Sequence, residues 1–115
     1  MRRGEIRLVD LDPARGAVSD KRRPAVVVSN DAANATAARL GRGVVTVVPL
    51  TSNVERIYPF QVLLPVSAAG LSSDSKAQAE QVRSIAVERV GARLGAVPPS
   101  LMTGLDLALR LHLAL

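Results

Sequence analysis

Three cations, a proline and then a run of small and β-branched residues constrain this chain more than any other stretch: Lys21-Arg22-Arg23-Pro24-Ala25-Val26-Val27-Val28-Ser29-Asn30. Pro24 has no N–H and a fixed φ, which suits the first position of a strand. Val26, Val27 and Val28 suit a strand buried on both faces. A strand is therefore expected from Pro24 to Ser29, with positive charge held where it begins. An arginine there is placed to meet an anion, and in a basic protein a phosphate is the leading choice.

Composition narrows the chemistry. The 115 residues suit one domain, spanning 1–115, with one core. Hydrophobic residues make up 48% of the chain and aromatic residues only 2%, so aliphatic side chains must fill that core. Tyr58 and Phe60 are the only aromatic residues, too few for an RNA surface of several stacked rings. A net charge of +5 favours a polyanionic partner. With no cysteine, disulfides, thiol catalysis and cysteine-ligated zinc are excluded. His112 is the single histidine, so chemistry needing a histidine pair is excluded too. The opening Met1-Arg2-Arg3-Gly4-Glu5 has no signal-peptide core, and no apolar run spans a membrane, so a cytoplasmic protein is expected.

In order, Glu5–Leu11 reads as a first strand and 12–22 as a long polar loop. After the second strand, Asp31 is expected to cap a helix over Ala32–Leu40, ended by Gly41 and Gly43. Val44–Leu50 is a third strand, and Pro49 marks a bulge or a stop in its ladder. Tyr58–Pro65 is a fourth, followed by a turn region around Gly70. Lys76–Ile85 alternates as a single strand, with Ala77, Ala79 and Gln81 on one face. Glu88–Val97 suits an edge strand. Leu101, Leu105, Ala108, Leu109 and His112 recur at helical spacing, so a helix closes the chain. Leu107, Leu111 and Leu115 form its second apolar stripe. The pattern predicts a mostly β fold, a small antiparallel barrel or curved sheet with short helices and a C-terminal helix.

If the second and third strands pair antiparallel, Arg23 at the start of one lies near Thr51 at the end of the other. A guanidinium there could hold a phosphate through two hydrogen bonds and stabilise a pentacoordinate transition state. A neighbouring hydroxyl could add one more. On spacing alone, a solvated arginine before a proline and a turn-capping threonine remain the plainer readings. Asp74, Glu80 and Glu88 have no metal-ligand spacing, and Gly41, Gly43 and Gly70 form no phosphate loop.

Taken together, the segments resemble the MazF/PemK/Kid family of toxin endoribonucleases. Arg3-Gly4-Glu5-Ile6, Val9-Asp10-Leu11-Asp12-Pro13, Gly16 and Arg23-Pro24 through Asp31 stand in the family's order. Val48-Pro49-Leu50-Thr51-Ser52, Tyr58-Pro59-Phe60-Gln61-Val62, Gly70-Leu71, Gln81-Val82-Arg83-Ser84-Ile85 and Arg89 follow. Each piece is weak alone; the ordered set covers almost the whole chain.

The resemblance implies an SH3-like small barrel of the MazF/Kid/CcdB type that forms a homodimer. It implies a sequence-specific endoribonuclease, without metal or other cofactor, that cuts single-stranded RNA. The ribose 2′-oxygen would attack the adjacent phosphorus, leaving a 2′,3′-cyclic phosphate and a 5′-hydroxyl. The family's catalytic arginine falls on Arg23, which would neutralise the phosphorane and serve as proton donor; its catalytic threonine falls on Thr51. Substrate contacts would come from the loop carrying Gly16, Asp20, Lys21 and Arg22, from Ser52 and Asn53, and from Glu80 and Gln81. Two departures stand out: Gly16-Ala17-Val18 where many members read Gly-Ser-Glu, and Glu80 where aspartate is more usual. The implied protein partner is a MazE-like antitoxin with an acidic, disordered C-terminal segment, for which a basic groove is suited.

Two other functions fit a small basic barrel. One is a module that holds nucleic acid without cutting it. The other is a protein-targeting toxin on the same fold, in the manner of gyrase poisons. The ordered Arg23-Pro24 and Thr51 motifs favour the nuclease.

Overall fold

The computed structural model describes residues 1–11 and 22–115. Among these, seven strands and three α-helices follow in order. They are β1 (Glu5–Asp10), β2 (Arg22–Val27), α1 (Asp31–Leu40), β3 (Val44–Thr51), β4 (Gln61–Leu64), α2 (Val66–Ala69), β5 (Ser75–Gln78), β6 (Arg83–Ala86), β7 (Val90–Ala96) and α3 (Pro99–Leu113). The sheet runs β4-β5-β3-β2-β1-β7, with β6 also paired to β3, and every pairing is antiparallel. The expected mostly β architecture with a terminal helix is what forms.

β2 lies between β1 and β3, and the Val-rich sequence explains why it can. Ala25, Val26 and Val27 are fully buried. Val26 joins Ile6, Val48, Leu50, Leu64, Leu105 and Ala108 in a core under α3. Ala25 and Val27 join Val9, Val45, Val47, Ile85 and Val87 on the other face, with Ala37 of α1. Burying both faces of the central strands is how a chain with two aromatic residues assembles enough apolar contact.

The two ends of the sheet path approach each other through α2. A Cβ built on Gly95 of β7 would lie 2.1 Å from the Ala69 carbonyl oxygen at the end of α2, which follows β4 directly. Only a residue without a side chain allows that approach. β7 ends the path, as expected of an edge strand.

Several boundaries differ from the sequence reading. β2 spans Arg22–Val27 rather than Pro24–Ser29, so Pro24 is inside the strand. Pairing with β1 carries the extra residues: Asp10 faces Arg22 and Val9 faces Arg23. The α1 cap is Asn30, whose Oδ1 accepts from the Ala33 N–H at 2.8 Å. Asp31 instead accepts from the Arg3 backbone N–H at 2.6 Å. β4 begins at Gln61, because Pro59 and Phe60 form the preceding turn, with the Gln61 N–H donating to the Tyr58 carbonyl at 2.9 Å. The turn region after it contains α2, closed by Gly70 at φ 76°. The edge strand starts at Val90, because Val87–Arg89 forms a 3₁₀ turn.

The largest difference is at Lys76–Ile85, which is two strands. Leu50 pairs with Ala77 and Thr51 with Lys76, whereas Val47 pairs with Arg83 and Val44 with Ala86. The register slips by three residues between these ladders, the length of the 3₁₀ turn Ala79–Gln81. β5 and β6 are thus one bent partner of β3 with a bulge, and the bulge carries Glu80 and Gln81.

Candidate functional site

Two prolines open the site. The β2–β3 ladder runs from Val27↔Val47 to Ala25↔Pro49 and stops there. Pro24 and Pro49 cannot donate backbone hydrogen bonds, so the ladder ends where they stand. Continuing the register by two residues sets Arg23 opposite Thr51. A cleft of about 500 Å³ lies there, lined by Arg22, Arg23 and Pro24 on one side and Leu50, Thr51 and Ser52 on the other. Leu71, Ser72, Ser73 and Ser75 complete it. An adjoining hollow of about 300 Å³ shares Arg23 and Leu50 and adds Leu11, Pro49, Gln78, Gln81 and Arg83.

Strand periodicity explains the electrostatics. Ala25, Val27, Val45 and Val47 share one sheet face with Arg23 and Thr51, because side chains alternate with a period of two. Arg83 faces Val47 and Lys76 faces Thr51 on that same side. One continuous sheet face is therefore apolar in its middle and cationic where the cleft opens. Arg23 is exposed, so its guanidinium is available to an anion.

Thr51 is half-buried, and its Oγ1 accepts from the Asn53 backbone N–H at 3.3 Å. That contact caps the turn leaving β3. Among the described residues the hydroxyl makes no bond as a donor, so its proton is left for a ligand in the cleft. No three His, Cys, Asp or Glu side chains are grouped as metal ligands among the described residues.

The comparisons with known proteins agree with one another. The family of PemK-like, MazF-like toxins of type II toxin–antitoxin systems matches residues 2–113. Endoribonuclease MazF9 of Mycobacterium tuberculosis is 64% identical over 115 residues, covering 100% of this chain and 98% of that protein.

The chain belongs to the PemK-like, MazF-like toxins of type II toxin–antitoxin systems.

Endoribonuclease EndoA of Bacillus subtilis is 27% identical over 116 residues, covering 100% of this chain and 96% of the relative. Among solved structures, an endoribonuclease in complex with its cognate antitoxin, from Mycobacterial species, superposes with a TM-score of 0.77 at 28% identity. That match covers 100% of this chain and 96% of the other. MazF from Deinococcus radiodurans superposes with a TM-score of 0.75 at 26% identity, over 100% of this chain and 97% of that one.

The expected site residues of this toxin divide into three groups. Arg22, Arg23, Thr51 and Ser52 line the main cleft, and Gln81 lines the adjoining hollow with Arg23. Asn53 and Glu80 line neither. Asn53 turns its Oδ1 back to the Glu55 N–H at 3.3 Å. Glu80 Oε2 accepts from Gln61 Nε2 at 2.8 Å, while Gln61 Oε1 accepts from the Tyr58 N–H at 3.2 Å. Among the described residues, Glu80 Oε1 is buried with no hydrogen-bond partner. Gly16, Asp20 and Lys21, with the Gly16-Ala17-Val18 departure, lie outside the described residues.

The structure adds lining residues that the sequence reading did not single out for the site: Ser72, Ser73, Ser75, Gln78 and Arg83. The signal available was weak. Leu71-Ser72-Ser73-Asp74-Ser75 reads as an ordinary turn, and Arg83 as one residue of an alternating run.

Proposed function

We propose that this chain is a sequence-specific endoribonuclease toxin that cleaves single-stranded RNA in the main cleft without a metal ion. The observation that carries the reading is the placement of Arg23 and Thr51 on facing strands of one open cleft. In this reading the scissile phosphate sits between them. The ribose 2′-oxygen bonds to phosphorus and gives up its proton to solvent water as the bond to the 5′-oxygen breaks. The leaving oxygen takes up a proton, and the products are a 2′,3′-cyclic phosphate and a 5′-hydroxyl. The Arg23 guanidinium offers a planar pair of donors to the phosphorane oxygens and lies beside the leaving group as proton donor. The Thr51 hydroxyl donates to the same phosphate. Arg22, Ser52 and Gln81 border the path of the flanking nucleotides.

The partners follow the same reading. Strong cationic character at one end of a sheet face suits RNA and also suits the acidic, disordered C-terminal segment of a MazE-like antitoxin, so the two compete. The protein acts in the cytoplasm as a homodimer. Supporting the dimer, Leu107 and Leu111 of α3 are 62% and 59% exposed, while Leu105 and Ala108 are buried against the sheet.

A substrate series tests the chemistry. RNA carrying one 2′-deoxynucleotide on the 5′ side of a mapped cleavage point is expected to be uncut at that point and cut elsewhere. Cleavage at the deoxy position would rule out attack by the 2′-oxygen.

A further inference from the structure

Lys76 is buried, only 8% exposed, yet none of the ion pairs among the described residues includes it. Its Nζ donates to the Arg56 carbonyl at 2.8 Å and stands 5.8 Å from the centre of the Tyr58 ring. A carbonyl dipole and a ring quadrupole compensate an ammonium only in part. Arg56 stands over the same ring at 5.6 Å and donates to its hydroxyl at 3.3 Å, which adds positive charge rather than neutralising it. The ammonium has three donors, and the one hydrogen bond the structure gives it leaves two unspent.

Lys76 itself lines neither hollow, but its strand position sets it beside both. Lys76 faces Thr51 in the β3–β5 register, so the two side chains share a sheet face. Ser75, next to it in the chain, lines the main cleft, and Gln78, two residues on and on its own face, lines the adjoining hollow. Arg23, Thr51 and Lys76 thus form one row across β2, β3 and β5.

We propose that Lys76 is a substrate-binding cation of the RNA site, whose charge is balanced by a backbone phosphate flanking the one held by Arg23 and Thr51. This deepens the endoribonuclease reading and rests on it. The bond to the Arg56 carbonyl fixes the segment after Thr51 and holds the ammonium in the row until RNA arrives.

Lys76→Met keeps the apolar stem and removes the charge. Lys76→Arg keeps the charge. The readout is the slope of log Kd against log salt for a single-stranded RNA with 2′-O-methyl groups, which binds without being cut. Each phosphate neutralised contributes about 0.7 to that slope for single strands. Lys76→Met is expected to lower the slope by about 0.7 and Lys76→Arg to restore it. The melting temperature of Lys76→Met is read beside the slope and is expected to show a cooperatively folded protein. Should Lys76→Met not fold, the same slope is read on Lys76→Gln, which keeps an N–H donor. An unchanged slope in the neutral variant, beside a steep slope in the wild type, overturns the proposal and leaves the nuclease reading standing. A wild type that neither binds nor cuts RNA overturns both.

Discussion

Arg23 and Thr51 are argued to act on the same phosphate, but their expected losses differ. Removing the guanidinium removes charge stabilisation in the transition state, and Arg23→Ala is expected to lower kcat by about 10²- to 10³-fold. Thr51→Ala removes one hydrogen bond to a charged group, worth about 1.5–3 kcal/mol, and is expected to cost roughly 10- to 100-fold. Single-turnover cleavage of one defined RNA measures both. Glu5 supplies a prediction of another kind. Burial works to raise its pKa, but hydrogen bonds from Arg7 and the Arg2 backbone N–H, with the Arg7 charge, outweigh it and hold the carboxyl below the usual carboxylate range. The contacts are close: Arg7 lies 3.0 Å away and Arg93 3.5 Å away. A carboxyl with a lowered folded pKa contributes stability above its unfolded pKa and loses it as pH falls through the folded value. Thermal melts of wild type and Glu5→Gln are therefore expected to differ most above about pH 4.5 and to converge below it. A constant difference across that range would contradict the assignment. The cap exchange at the start of α1 shows the limit of reading single residues. Asn30 and Asp31 are both good capping residues, and the choice between them depends on Arg3, which is distant in sequence and takes Asp31.

Elements that bury a continuous apolar pattern were legible in the chain. The valine runs of β2 and β3 and the helical spacing of Leu105 and Ala108 lead directly to the two cores. The bulge between β5 and β6 was not legible, because Ala77, Ala79 and Gln81 keep alternating straight through it. Only the slip in pairing with β3 reveals it. The same bulge decides part of the site, since it carries Gln81 to the hollow and turns Glu80 toward Gln61. Lys76 was obscured for a related reason: a lysine in an alternating run reads as solvated until a cross-strand partner buries it. Closure of the sheet path makes the sharpest element-scale prediction. Gly95→Ala sets a methyl against the Ala69 carbonyl and is expected to destabilise by roughly 1–3 kcal/mol or more, read from denaturant midpoints. A variant as stable as wild type would show that α2 does not pack on β7.

For the whole molecule, one sheet face is core in its middle and opens at its end on the cleft lined by Arg23 and Thr51. The cleft is therefore built on strands whose positions the core fixes, which limits the reorganisation needed when a phosphate arrives. The arginine–threonine juxtaposition was legible as a possibility from antiparallel geometry, and the structure sets the two residues on one cleft where the ladder stops at Pro49. The exposed α3 leucines belong to this scale as well. Leu107→Arg with Leu111→Arg is expected to convert a homodimer to monomer in sedimentation at micromolar concentration, with the fold retained. Unchanged sedimentation would place the dimer contact elsewhere. No helix among the described residues is long and apolar enough to cross a membrane.

The most direct measurement is incubation of the purified protein with a long mixed-sequence RNA in EDTA, followed by mapping of both new ends, with Arg23→Ala beside it. Discrete cuts bearing 2′,3′-cyclic phosphate and 5′-hydroxyl ends, absent from the variant although its melting curve is unchanged, are the expected result. Intact RNA with the wild type, or equal cutting by Arg23→Ala, would contradict the account.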